Sequence, residues 1–230
     1  MVHYTPDTAF FHNKSRLFEK SVPYYDYFVT TKSFDFEKYP EGKTILVPQG
    51  YNPDVHKPYN SFAEKFREVV FIGLYEQYRG KVISKLLNAG IRVTVAGNKW
   101  NRFKDLHHPL LEHLGDGLFG EAYARVISSS LFGIGLLSKR FPELHTTRTF
   151  EIPACGTALI TEKNKETSTF FTDDEVIFFK NIDEISVKIK EYRKKMDSLK
   201  TLTEIGRQKV IKGKFSNQEI LQKVLWQIEL

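Results

Sequence analysis

The sequence predicts an α/β fold built on a parallel sheet flanked by helices, and three observations lead there. Short apolar runs recur at Val69-Val70-Phe71-Ile72-Gly73, Ile91 to Ala96, Leu131 to Leu137 and Thr157 to Thr161. They are nearly continuous rather than alternating, as strands buried on both faces require. Segments of helical periodicity separate them, and the strand, helix, strand succession from Val69 to Ala96 has the length of a right-handed βαβ unit, about thirty residues.

Each element has its own local reason. Before residue 58 two apolar runs, Tyr27 to Thr30 and Thr44 to Val47, read as strands. The segment PQGYNPDVHKP, Pro48 to Pro58, has the stiff, extended chemistry of a connection. This divides the chain into a small, incomplete N-terminal α/β portion with its linker, residues 1–60, and a larger unit, residues 61–230. In the larger unit Val82, Ile83, Leu86 and Leu87 give a helix over Arg79 to Asn88 its inner face, and Gly90 ends it. Leu106 to Leu114 reads as a short helix or ordered loop, and Glu121 to Ser128 as a helix. Pro153, which costs ~3 kcal/mol in a regular helix interior, predicts a short or kinked helix after Thr147. Glu175 to Phe179 is a further strand. Asn181 with Glu184, and Ser216 with Glu219, are capping-box starts of two late helices; Ile220, Val224, Leu225 and Ile228 form the buried side of the last.

Composition narrows the function classes. With 41% hydrophobic residues in 230, the chain can build an ordinary globular core. No apolar window approaches the ~18 residues of a membrane span and the first thirty residues lack a signal-peptide core, so the expected location is cytoplasmic. The single cysteine, Cys155, suits a reducing compartment and reads as a buried packing thiol rather than a nucleophile. His107 and His108 are adjacent rather than at ligand spacing, and no structural zinc is expected. The net charge of +6 is concentrated: from Lys188 to Lys214 ten Lys or Arg face three acids. That segment is either the solvated face of surface helices or a surface for an anionic membrane or polymer. Its few interleaved aromatics and the absence of a recognisable module weigh against nucleic acid.

Ligands of open parallel sheets bind outside the carboxyl ends of the strands. Three such ends converge here: Gly73 with the following loop, Gly97 with Asn98 to Trp100, and Ser138 to Arg148. A diphosphate could approach the backbone at Gly73 and be neutralised by Arg79 or Lys81. Trp100 either stacks on a base or supports the pocket wall. Thr146 and Thr147 are candidate N-caps whose hydroxyls or amides could equally meet phosphate oxygens. Arg148 either pairs with Glu151, three residues on, or contacts phosphate. Glu143 and Glu151, separated by seven residues, could bring two carboxylates to the hydroxyls of one sugar ligand, and His145 lies between them.

The segment Arg148-Thr149-Phe150-Glu151-Ile152-Pro153-Ala154-Cys155-Gly156, with Phe170-Phe171 and Glu175-Val176-Ile177-Phe178-Phe179 after it, resembles the C-terminal domain of CgeB-type, spore-maturation-like glycosyltransferases. The resemblance covers most of residues 69 to 230, with a weaker echo in residues 3 to 58, where His3 to Asp7 would follow a strand. It implies a GT-B enzyme with a Rossmann-like donor domain that moves a sugar from a nucleoside-diphosphate donor to a glycan, protein or lipid acceptor. It also implies Glu151 on the ribose, Glu143 near the donor sugar, Arg79 near the diphosphate, and no bound metal or other cofactor. His12 is the candidate base on the N-terminal side. Donor base, sugar, acceptor and stereochemical outcome stay open. So does the competing reading, a non-catalytic nucleotide-sugar-binding or scaffold module, or a chain that recruits a second subunit.

Overall fold

A computed structural model describes residues 1–11 and 14–228. Two parallel sheets make up the protein. The first has three strands in the order β1 (Val2–Thr5), β2 (Tyr27–Thr30), β3 (Thr44–Leu46), with the short helix α1 (Arg16–Ser21) between β1 and β2. The second has six strands, β4 (Arg67–Ile72), β5 (Val93–Ala96), β6 (Leu111–His113), β7 (Ser130–Gly135), β8 (Ala158–Glu162) and β9 (Ile177–Phe179), arranged 6-5-4-7-8-9. The order reverses at β4, so the crevice between β4 and β7 is the topological switch point of this sheet.

Alternation of side chains across the sheet explains its two layers. Val69 and Phe71 of β4 point to one face, where they meet Val82, Ile83 and Leu86 of α2 (Gln77–Asn88) and Ile185 and Ile189 of the later helix that covers this face. Val70 and Ile72 point to the other, against Tyr123, Ala124 and Ile127 of α3 (Gly120–Ser128) and Phe150 and Ile152 of α4 (Arg148–Ala154). The α4 helix is seven residues long, and its interior Pro153 keeps it so. It packs tightly: a Cβ on Gly133 of β7 would lie 2.7 Å from the Ile152 side chain. The short helix α5 (Thr167–Phe170) precedes β9. Then α6 (Ile182–Arg193) starts with the expected capping box at Asn181 and Glu184, and the basic segment runs from α6 through α7 (Met196–Lys212) to Lys214. Lys190, Lys194, Lys195, Lys200, Lys212 and Lys214 are exposed.

Three expectations change. Residues 111–113 form an edge strand where a helix or ordered loop was expected; only three residues pair there, too few for the pattern to register. Val2–Thr5 is itself a strand, paired along its length with β2, rather than a segment that follows one. The last helix, α8 (Asn217–Ile228), buries Ile220 and Val224 but leaves Leu225 exposed. It leaves the second sheet and packs on the first, against Val29 and Val47, while Ser216 and Tyr51 pair in parallel beside it.

At the carboxyl ends of β4 and β5 the backbones nearly touch. Gly97 has φ 131°, and a Cβ there would sit 2.2 Å from the Gly73 carbonyl oxygen. That carbonyl also accepts a 2.9 Å hydrogen bond from the Trp100 indole. The Gly97→Ala substitution is therefore expected to cost about 3 kcal/mol or more of stability, read as a lower urea midpoint at unchanged slope.

Candidate functional site in the cleft between the two sheets

Parallel pairing sends every strand of a sheet to the same edge, and the carboxyl edges of both sheets meet in one cleft. From the first sheet come Pro6 and Asp7 after β1, Lys32 after β2 and Gln49 after β3. From the second come Leu74, Glu76 and Arg79 after β4, and Ser138, Arg140, Phe141, Glu143, Thr146, Thr147 and Arg148 after β7; together they line a cavity of about 390 Å³. A neighbouring cavity of about 450 Å³ shares Pro6, Gln49 and Thr147 with it and adds Tyr4, Gly50, Glu151, Asn217 and Ile220. The two form a continuous trough, with charge at one end and Glu151 at the other.

The charged end holds three cations, of which Arg79 and Lys32 are buried and Arg148 is half-buried. Arg79, 5% exposed, donates to the carbonyls of Leu74 (2.9 Å) and Leu136 (3.4 Å) and pairs with Glu76 at 3.3 Å. Burial, and then the charge of Arg148, pull its guanidinium down to about 10 against the attraction of Glu76 and Glu143. Arg148 donates to the carbonyls of Ile72 and Leu136, each at 3.4 Å, and both guanidiniums lie over the Phe71 ring. Two like charges held together on one strand-end carbonyl repel, and an anion between them relieves that. The Nε atoms of both arginines and the Thr146 hydroxyl are buried without a hydrogen-bond partner, an arrangement that a phosphate oxygen would satisfy. The third cation, Lys32, pairs with Glu143 at 2.7 Å; the side chains are 4% and 9% exposed.

At the other end Glu151 accepts a 2.5 Å hydrogen bond from the buried Tyr123 hydroxyl and lies 3.8 Å from His56 Nε2. His56 Nδ1 accepts from the Asn52 amide. Burial lowers the His56 pKa from 6.5, and the nearby Glu151 carboxylate opposes that only in part.

Several sequence-derived candidates take other roles. Trp100 is 0% exposed, in contact with Phe71, Tyr75 and Phe103, so it braces the wall and does not stack on a ligand. His145, 5% exposed, has both nitrogens engaged: Nε2 accepts from the Gln49 amide at 3.0 Å, and Nδ1 lies 2.5 Å from Glu166. It ties the two sheet units together instead of reaching a donor. Burial pushes the Glu166 carboxyl up, but the hydrogen bonds from His145 and Ser33 outweigh it and hold the group below the usual range. The Gly73 amide is spent on the Ala96 carbonyl. Thr147 occupies the N-cap position of α4 in helical conformation without a side-chain capping bond, and it lines both cavities. Arg148 and Glu151 do not pair, because each faces a different end of the trough. Lys81 lies on the outer side of α2, in a separate groove. His12 lies outside the described residues.

Lys32, Gln49, Glu76, Ser138, Tyr123 and His56 were not singled out from sequence. The strand-end rule, applied to the first sheet as well as the second, would have found Lys32 and Gln49. Nothing local marks Tyr123, whose part depends on α3 lying beside α4. Among the described residues no group of three or more His, Cys, Asp or Glu is placed to hold a metal, and no helix is long and apolar enough to cross a membrane.

Residues 79–225 match the model of a family described as glycosyl transferase-like. The chain belongs to this family. No curated protein matches the sequence. Among solved structures, HepE of Anabaena in complex with UDP and glucose is similar over 99% of this chain and 71% of its own, with TM-score 0.77 and 11% identity. Sucrose-phosphate synthase of Thermosynechococcus elongatus is similar over 99% and 67%, with TM-score 0.69 and 15% identity. A glycosyltransferase of Rickettsia africae is similar over 90% and 65%, with TM-score 0.68 and 16% identity. At these identities the likeness is one of fold, and the fold of this glycosyltransferase is GT-B, with the cleft between its two sheet units.

Two measurements probe this region. Because the His56 pKa is depressed in the fold, the folded state resists its protonation. The stability present above the unfolded value of 6.5 is therefore lost as pH falls below it. His56→Gln should narrow the drop in urea midpoint between pH 7.5 and 5.5. Cys155 is 0% exposed and burial pushes its thiol pKa up, so a thiol reagent should leave it unmodified in native protein and label it fully in guanidinium.

Proposed function

We propose that this glycosyltransferase takes its sugar from a nucleoside-diphosphate donor bound along the trough. The carrying observation is the pair of guanidiniums of buried Arg79 and half-buried Arg148, both over the Phe71 ring, with their buried Nε atoms unpartnered at the switch point of the second sheet. In this reading the diphosphate lies at that end. Glu151, oriented by Tyr123, holds the ribose diol, and Glu143 faces the donor sugar. Cations fixed where the leaving diphosphate gathers charge stabilise the transition state, which is the main catalytic task of such a site. No metal enters the reading. That HepE is seen with UDP and UDP-glucose supports a nucleotide sugar as the ligand class.

The finer placement is with CgeB-type enzymes, on the Arg148 to Gly156 segment, in the cytoplasm. Residues 1–60 form the acceptor-side portion and 61–230 the donor-side unit, with an acceptor that is a glycan, protein or lipid. The exposed lysines of the 188–214 segment suit an anionic surface that carries this acceptor.

Calorimetric titration with a panel of nucleoside diphosphates and nucleotide sugars tests the donor site. One member should bind saturably, and Glu151→Ala should weaken it at least tenfold, about 1.4 kcal/mol. Equal affinity in the variant would remove Glu151 from the site, and absence of binding by the wild type would remove the donor reading.

A further inference from the structure

Lys32 and Glu143 are the most deeply buried ion pair across the cleft, and they come from different sheet units. Lys32 follows β2 of the first sheet; Glu143 follows β7 of the second, and its other oxygen accepts from the Ser138 amide at 3.3 Å. Both line the same cavity as Arg79 and Arg148. A buried pair of this kind resists separation, because removing one partner leaves the other charged and desolvated. A ligand that enters must therefore either leave the pair alone or replace both partners together.

Resting on the donor reading above, we propose that the Lys32–Glu143 pair makes the cleft selective for an intact sugar diphosphate over its parts. A bare nucleoside diphosphate can attract Lys32 with a phosphate oxygen, but it strands Glu143. A free sugar can give its hydroxyls to Glu143, but it strands Lys32. A nucleotide sugar carries both groups in one molecule, on the two sides of its sugar–phosphate linkage. The phosphate nearest the sugar takes the ammonium, the hydroxyls take the carboxylate, and no buried charge is left uncompensated. Lys32 acts as a positioning residue in this exchange: it holds Glu143 in place until hydroxyls take over. The same device favours release of the nucleoside diphosphate once the sugar has left, since the pair can then re-form.

The test compares the affinities of UDP and UDP-glucose, or of GDP and GDP-mannose where the uridine pair does not bind, in wild type, Glu143→Gln, Lys32→Met and Lys32→Arg. Wild type should prefer the nucleotide sugar. Glu143→Gln no longer strands a carboxylate, so it should bind the bare nucleoside diphosphate about tenfold more tightly than wild type and lose most of the preference. Lys32→Met should weaken the nucleotide sugar at least tenfold, and Lys32→Arg should recover most of that. A pair that merely supports the fold would lower the melting temperature in Glu143→Gln without tightening nucleotide binding, and that result would overturn the proposal. So would a wild-type protein that binds the nucleoside diphosphate as tightly as the nucleotide sugar. If the wild type binds no nucleotide of either kind, the donor reading falls and this inference with it. If Lys32→Met does not fold, Glu143→Gln decides alone, because its gain in affinity is a property only a folded cleft can show.

Discussion

Parallel strand pairing is the constraint on which the rest of this structure depends. A parallel sheet cannot be built from hairpins, so each strand is followed by a crossover that returns the chain to the opposite edge. All carboxyl ends then lie on one side, where they deliver loops and helix starts. Here two such sheets face each other by those edges. The chain is held in this arrangement by its own last segment: α8 leaves the second sheet to bury Ile220 and Val224 against Val29 and Val47 of the first. The cleft is therefore bounded by both sheets and by the helix that joins them, and Asn217 and Ile220 of α8 line one end.

Charge inside that cleft is arranged so that cations and carboxylates compensate one another only in part. Arg79 has Glu76, and Lys32 has Glu143, whereas Arg148 is held by the carbonyls of Ile72 and Leu136 and lies over the Phe71 ring, without a carboxylate partner among the described residues. Main-chain carbonyls at a strand end can hold a guanidinium in place without cancelling its charge. The result is a rigid positive site with spare donors, which costs stability in the isolated protein and is relieved by an anion. His145 shows the opposite use of a polar side chain. With Gln49 on one nitrogen and Glu166 on the other, it is fully occupied, and its role is to fix the relation of the two units.

The sheet of the second unit was legible because its strands are buried on both faces and so carry unbroken apolar runs, and because Gly90, Asn181 and Ser216 sit where helix ends and starts need them. The edge strand 111–113 and the first strand were not, since short edge strands of mixed exposure leave no such run. In the cleft, Arg79 and Arg148 could be singled out from local strand-end and helix-start geometry, and Glu143 and Glu151 from their spacing and from the resemblance of the Arg148 to Gly156 segment. For Trp100 both readings stayed open, and for His145 ligand contact was the expectation, for the converse reason. A polar atom on a large ring near a loop suggests ligand contact, and only tertiary packing reveals that the atom is already used by Gly73 or by Gln49 and Glu166.

The residues missed in the sequence share one property: their role is set by an element distant in the chain. Tyr123 matters because α3 packs beside α4, and Lys32 matters because β2 ends opposite β7. No window of local pattern spans the separation between Lys32 and Glu143, yet the fold brings them within hydrogen-bonding distance. The topology nonetheless says where to look. Once both segments are assigned to parallel sheets whose carboxyl edges meet, the first charged residue beyond each strand becomes a candidate for the shared cleft. On that rule Lys32 after β2 and Glu76 after β4 are found together, with Arg79 one helical turn beyond Glu76, because strand direction places these residues in the cleft where residue spacing alone does not.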